Sequence, residues 1–564
     1  MRATYSGLAG IVLSYVSAAA GTKVSSFAGA TTTFQFPPAG QTITAPDPAF
    51  PDANQVGFAG PTPTGDEADA IATAPTISKF DSVFPLVNPS TADSKSPATG
   101  FDVLHNFGNL APWRSVESSW LGLTNASPII PAGCSLEQVH LVHRHGARYP
   151  TTGAPPSQFA TALHGLAGTT GVNVSGPLAF LATWEYQLGA EILTPFGRSQ
   201  LFDLGVGFRV KYGELLKKFT NLPVWRTTSQ GRMVDSALHF AAGFFGVQSY
   251  QQDYHQLIQI EALGFNSTLS PSDTCPNANN AIAAFGTTQA LKWAAVYLAD
   301  AQTRLQPFIQ GLPLSPSILV AMQQLCAYEV YMRDMVGMMG AYILQTVALG
   351  YSSFCDLFTE EEWIGYSYLN DLAFWYSFGP GNPATSAQGI GYVQELVSRL
   401  TKTRITDFNT TVNGSIVSSD VLFPFDQPIY VDATHDTVIS AIVTAMNFTA
   451  LAAEGPLPID KIPANHAYII NNIAPFASNL VGQVLSCPAP ANTTSSYIRW
   501  ILNDAVLPLS GIAGCSANSG GLCPLPSFIA GMQQRISEVD FAFDCFANYT
   551  IPDPDTIVTG QYPK

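Results

Sequence analysis

The run Arg144-His145-Gly146-Ala147-Arg148-Tyr149-Pro150 sets two guanidinium groups around one imidazole. The planar fork of an arginine matches the oxygens of a phosphate group. Two such cations repel a metal ion, so the cluster suits an anion. Imidazole is a competent nucleophile in covalent catalysis. These residue types allow a phosphoryl group to be gripped while His145 attacks phosphorus. A second cluster, Thr434-His435-Asp436-Thr437, supplies what the first lacks. Asp436 can protonate a departing alkoxide, and His435 can add a contact to the phosphate. Read alone, Asp436 is better taken as a helix cap, and it gains weight only beside the first cluster. A third stretch, Trp225 to Arg232, brings in Arg226 and Arg232.

These clusters need elements to hold them. Residues 137–143 alternate, with Val139 and Leu141 on one face, and predict a strand. Gly146 frees the backbone as the strand ends, and Pro150 closes the ladder. Residues 428–432 predict another strand and 437–446 a helix, so His435 and Asp436 stand where a helix N-terminus favours anions. A strand at 223–227 leads into a helix at 232–246, and 257–260 alternates like a further strand. Short helices are expected at 156–166 and 177–186. Thr194-Pro195 starts a helix running to about residue 216. From 277 to 402 the pattern is almost all helical. Thr359 and Glu362 form a capping box there, and 336–349 reads as a buried helix. Strands at 475–486 and 497–502 and a helix at 527–537 follow. The expected fold is α/β: a central sheet with helices on both faces, interrupted by a mainly α-helical insertion at roughly 275–402. Ligands of such sheets bind where strands end.

The full run around His145 resembles the Arg-His-Gly-x-Arg-x-Pro signature of the histidine acid phosphatases, the branch of the histidine phosphatase superfamily that includes the fungal phytases. Every fixed position is present. His435-Asp436 is similar to that family's late His-Asp pair, whose aspartate protonates the leaving group. The resemblance makes Arg232 a third phosphate clamp beside Arg144 and Arg148. Arg226 is divided between that pattern and a surface residue or carboxylate partner. Further likeness lies in Tyr186-Gln187-Leu188-Gly189-Ala190, Leu193-Thr194-Pro195-Phe196-Gly197, Phe354-Cys355-Asp356-Leu357-Phe358 and Gly381-Asn382-Pro383. It spans most of residues 115–550. It implies disulfides Cys134–Cys487, Cys275–Cys545, Cys326–Cys355 and Cys515–Cys523, and a phosphohistidine mechanism with no cofactor or metal. The partner it implies is a small phosphate monoester, with phytate as one candidate. Residues 151–160 hold no Lys or Arg where some phytases carry lysines, and Thr437 stands where several have asparagine.

The chain has 564 residues and a formal net charge of −16, with no basic stripe, which excludes an ordinary nucleic-acid binder. Charged residues make up only 11%, so solubility must come from elsewhere. Residues 1–20 have the charged start, short apolar run and small residues of a signal peptide, leaving no stable membrane span after cleavage. Residues 21–100 are rich in Ala, Thr, Pro, Ser and Gly and predict a flexible stalk or propeptide. The phosphatase domain is expected at 101–564. Sequons at Asn125, Asn173, Asn266, Asn409, Asn413, Asn447, Asn492 and Asn548, with an even cysteine count, predict a secreted glycoprotein, free or held at the cell wall. Oligomeric state is not legible. Rival readings are a metal site of His140, His143 and His145, a phosphoglycerate-mutase-like phosphotransferase, and a non-catalytic cell-wall glycoprotein of the same fold.

Overall fold

The computed structural model describes residues 21–26, 101–186, 188–329, 352–489, 493–553 and 555–563. The expected signal peptide, nearly all of the stalk, the 336–349 helix and the Asn492 sequon lie outside the described residues. The strands that matter are β1 (Ser135–Arg144), β2 (Val224–Thr228), β3 (His255–Gln259), β4 (Ile429–Thr434), β5 (Asn479–Ala489), β6 (Thr493–Leu502) and β7 (Ala505–Val506). They form one sheet in the order β7-β6-β5-β1-β4-β2-β3, with Cys523–Pro524 paired to β6.

The middle of this sheet is parallel. β1 runs beside β4 from Val139↔Ile429 to Arg144↔Thr434, β4 meets β2 at Asp432↔Arg226, and β2 runs beside β3. Four strands therefore release their chains at the same sheet edge, which is where both predicted clusters begin. β5 and β6 continue the sheet antiparallel.

Alternation along β1 divides the core. Val139 and Leu141 join Trp225, Phe240 and Phe244 on one face, while Val142 belongs to the larger core on the other. Helices α1 (Pro155–Thr169), α2 (Pro195–Tyr212), α3 (Gly231–Phe245), α4 (Phe285–Tyr297), α5 (Pro316–Tyr328), α6 (Glu360–Phe378), α7 (Thr385–Thr401), α8 (Asp436–Ala445) and α9 (Leu525–Glu538) cover the sheet and build the helical insertion. The predicted capping box is complete: Thr359 Oγ1 accepts from Glu362 N, and Glu362 Oε2 accepts from Thr359 N. Residues 177–186 do not form an α-helix. Gly176–Ala182 is a 3-10 turn, entered at Gly176 with φ +52°, and the apolar run is too short to propagate further.

The first stalk residues are not free. Thr22–Lys23 pairs antiparallel with Asn173–Val174, Val24 is buried, and Ser25 O accepts from His164 Nδ1 at 2.7 Å. The disulfides are Cys134–Cys487, Cys275–Cys545, Cys326–Cys355 and Cys515–Cys523. The first ties the approach to β1 to the far part of β5.

Two glycines fix where the signature loop lies. A Cβ on Gly146 would come within 2.1 Å of Gly197 O, and one on Gly197 within 1.9 Å of Ala147 O. The loop and the first turn of α2 thus touch backbone to backbone, and Thr194 caps α2 by accepting from Gly197 N at 3.1 Å. Gly197→Ala should push the loop away, lowering stability by about 1–3 kcal/mol and kcat/KM with it. Thermal melts and initial rates on one preparation check this.

Candidate active site

β1 ends at Arg144, and the chain turns sharply into His145. His145 Nδ1 lies 2.8 Å from Gly146 O. A carbonyl only accepts, so Nδ1 carries the hydrogen and Nε2 keeps the lone pair. Gly146 N donates to Ser236 Oγ at 3.3 Å and Ala147 N to Gln200 Oε1 at 2.9 Å, which anchors the turn to α3 and α2. Burial, then Arg144, Arg148, Arg232 and His435, hold the imidazole pKa well below its usual value. The ring therefore stays neutral to a lower pH than a free imidazole would.

Arg144 is fully buried, its guanidinium 4.3 Å from the centre of the Phe476 ring. Nη1 donates to Asn109 O and, at 2.9 Å, to Ala474 O; Nη2 lies 2.6 Å from Asp436 Oδ2. Burial brings its pKa down to about 10, which leaves it charged. Arg148 Nη1 donates to Tyr149 O at 2.9 Å, and Arg232 Nη1 lies 2.6 Å from Glu191 Oε2. The Nε of Arg144, Arg148 and Arg232 are all buried without a hydrogen-bond partner. The positive charge of all three guanidinium groups acts on the His145 ring, so cationic groups converge where an anion would bind.

β4 delivers the other half. His435 caps α8 through its backbone only, and Asp436 is the first helical residue. Asp436 Oδ1 accepts from Thr437 N at 2.9 Å, but Oδ2 turns to Arg144 and to Asn109 Nδ2 at 2.9 Å. This carboxylate is more than a cap. Burial raises its pKa, yet Arg144, Asn109 and Arg148 outweigh burial and leave it below the usual value. His435 Nε2 lies 3.1 Å from Glu261 Oε2, just beyond the end of β3.

All six predicted site residues thus converge: Arg144 at the end of β1 with His145 and Arg148 just after it, Arg232 after β2, and His435 and Asp436 after β4. Arg226 does not join them. It is buried, with Nε 2.5 Å from Asp432 Oδ1 and Nη1 2.8 Å from Glu395 Oε2, while Arg399 takes the other side of Asp432 at 2.6 Å. It is a carboxylate partner within the core. The three histidines of the rival metal reading are engaged separately. His140 stacks on Tyr430 and His143 on Phe240, on opposite sheet faces. Among the described residues, no group of three or more His, Cys, Asp or Glu is placed to hold a metal ion.

Sequence reasoning missed Asn109, Glu191, Glu261 and Tyr328. Tyr328 ends α5, and its buried hydroxyl lies in the field of Arg148, Arg144, Asp436 and Arg232. Only Glu261 carried a legible hint, as an acidic residue directly after a predicted strand.

The profile of the histidine phosphatase superfamily (branch 2) matches residues 135–503, from the first residue of β1 to just past β6. The chain belongs to this family. Among its relatives, Phytase A of Aspergillus oryzae is 28% identical over 481 residues, covering 82% of this chain and 96% of the relative. Phytase A of Emericella nidulans is 30% identical over 443 residues, covering 76% and 88%. The crystal structure of the phytase from D. castellii superposes with a TM-score of 0.60 at 26% identity, covering 85% of this chain and 94% of that one.

Proposed function

We propose that this protein is an acid phosphomonoesterase that works through a phosphohistidine, with phytate among its substrates. The observation that carries the reading is the convergence of a neutral His145, three arginines whose charge acts on its ring, and Asp436 at one sheet edge. Arg144, Arg148 and Arg232 hold the phosphate oxygens and set phosphorus in line with His145 Nε2. Nε2 forms the bond to phosphorus as the ester oxygen leaves, and Asp436 gives that oxygen its proton. Water then attacks the phosphohistidine, with Asp436 as base, and releases inorganic phosphate and neutral imidazole. The relatives named Phytase A support phytate as a substrate. The secreted reading is supported by the four disulfides, and among the described residues no helix is long and apolar enough to cross a membrane. Exposed Asn125, Asn266, Asn409 and Asn548 are the sequons best placed to carry glycans.

The free protein holds Asp436 ionised, so the transferred proton must enter with the substrate. A phosphate monoester loses its second proton near about pH 6. A monoanionic ester brings that proton and, by engaging Arg144, raises the Asp436 pKa. The depressed pKa of His145 keeps the nucleophile neutral until the pH falls through that lowered value. kcat/KM should therefore be high in acid and fall about tenfold per pH unit above about pH 6. The check is phosphate release from phytate and from p-nitrophenyl phosphate across this range. Release from both in acid is expected, and release from neither at any pH would sink the reading.

A further inference from the structure

One contact at the mouth of the site is not explained by phosphate binding alone. Glu191 Oε2 lies 2.6 Å from Arg232 Nη1, and its Oε1 accepts from Thr152 N at 2.9 Å. Glu191 N donates to Pro150 O at 3.0 Å, and Tyr149 N to Ile192 O at 3.0 Å. One residue thus joins the end of the signature run to the arginine that arrives two strands away. The carboxylate holds Nη1 and so fixes the plane of a guanidinium whose charge acts on His145. A fully exposed ion pair would do little; here the arginine side chain is 13% exposed and the glutamate 34%, so the pair is half-buried.

The backbone points the same way. Glu191 has φ +67°, in the left-handed region that side chains with a Cβ avoid. Glycine would occupy the position without that strain. A strained non-glycine residue whose side chain grips a site arginine indicates a functional demand on the side chain.

We propose that Glu191 is a positioning residue: it sets the guanidinium of Arg232 for phosphate and locks it to the signature loop. This rests on the phosphomonoesterase reading above. Glu191 touches no reacting atom; it acts through Arg232.

The test uses the full chain and p-nitrophenyl phosphate. Glu191→Gly should lower kcat/KM on the order of 100-fold, mainly through a higher KM. Its melting temperature should stay within about 3 °C of wild type, because relief of strain offsets the flexibility that glycine adds to the unfolded chain. Glu191→Gln keeps the size and loses the charge, and should fall between the two. In an Arg232→Ala background, adding Glu191→Gly should cost less than about threefold further, since the residue it positions is gone. Wild-type kcat/KM in Glu191→Gly, a lower KM, or full additivity with Arg232→Ala would each overturn the proposal. These outcomes are read with an active wild type, so they are distinct from failure of the phosphatase reading, in which wild type itself releases no phosphate.

Discussion

Replacing His145 with alanine should stop turnover, with kcat down on the order of 10⁴-fold or more. Arg144, Arg148 and Arg232 still surround the vacated position, so the phosphate grip survives while the atom placed to form a bond to phosphorus is gone. Inorganic phosphate should still bind to His145→Ala with an affinity near that of wild type, measured by calorimetry. Loss of turnover together with loss of phosphate binding would instead mean that the site had collapsed, and the variant would then say nothing in favour of a nucleophile. Substantial turnover by a folded His145→Ala would remove the covalent mechanism altogether.

Asp436→Asn should slow alkyl phosphates by about 10²–10⁴-fold. The leaving alkoxide of such an ester is a strong base and needs its proton in the transition state. p-Nitrophenolate is a stable anion that leaves without help, so its ester should lose far less. The substitution is not expected to weaken substrate binding. The Arg144 Nη2 that lies 2.6 Å from Asp436 in the free protein would meet an incoming phosphate without a competing carboxylate. The readout is the ratio of kcat for the two ester types. Equal losses would mean that Asp436 acts by holding Arg144 and not by delivering a proton.

Much of this site was legible because its parts are local. Arg144, His145 and Arg148 lie in one run, and His435-Asp436 sits at a strand-to-helix junction, so local pattern is enough to place both clusters at strand ends, while the family resemblance adds Arg232 and the proton-donor role of Asp436. That the two strands are parallel neighbours, with Arg144 opposite Thr434, is a long-range fact that no window of sequence holds. The same limit hid Asn109, whose side chain and carbonyl meet Asp436 and Arg144 across 327 and 35 residues. Glu191 was passed over because its meaning lies in a backbone angle and one contact, neither of which residue type reveals. Arg226 shows the converse. Residue type and neighbours leave it divided between the family's arginine pattern and a carboxylate partner, and only the fold decides for the second, by burying it against Asp432 and Glu395. In the fold, the helices expected at 232–246, 437–446 and 527–537 lie within two residues of their expected bounds, while Phe285–Tyr297, Pro316–Tyr328 and Thr385–Thr401 are legible only as a broadly helical stretch. The 177–186 stretch failed because a few apolar residues after Pro177 do not decide between a helix and a 3-10 turn.

The central claim is that phosphate passes through His145. It is tested most directly by rapid quench of the enzyme with a radiolabelled phosphate ester, followed by peptide mapping under alkaline conditions that preserve phosphohistidine. Label should appear within the first turnover on the peptide containing His145 and be absent from His145→Ala. Full turnover with no label at His145, or label fixed to another residue, would contradict the mechanism.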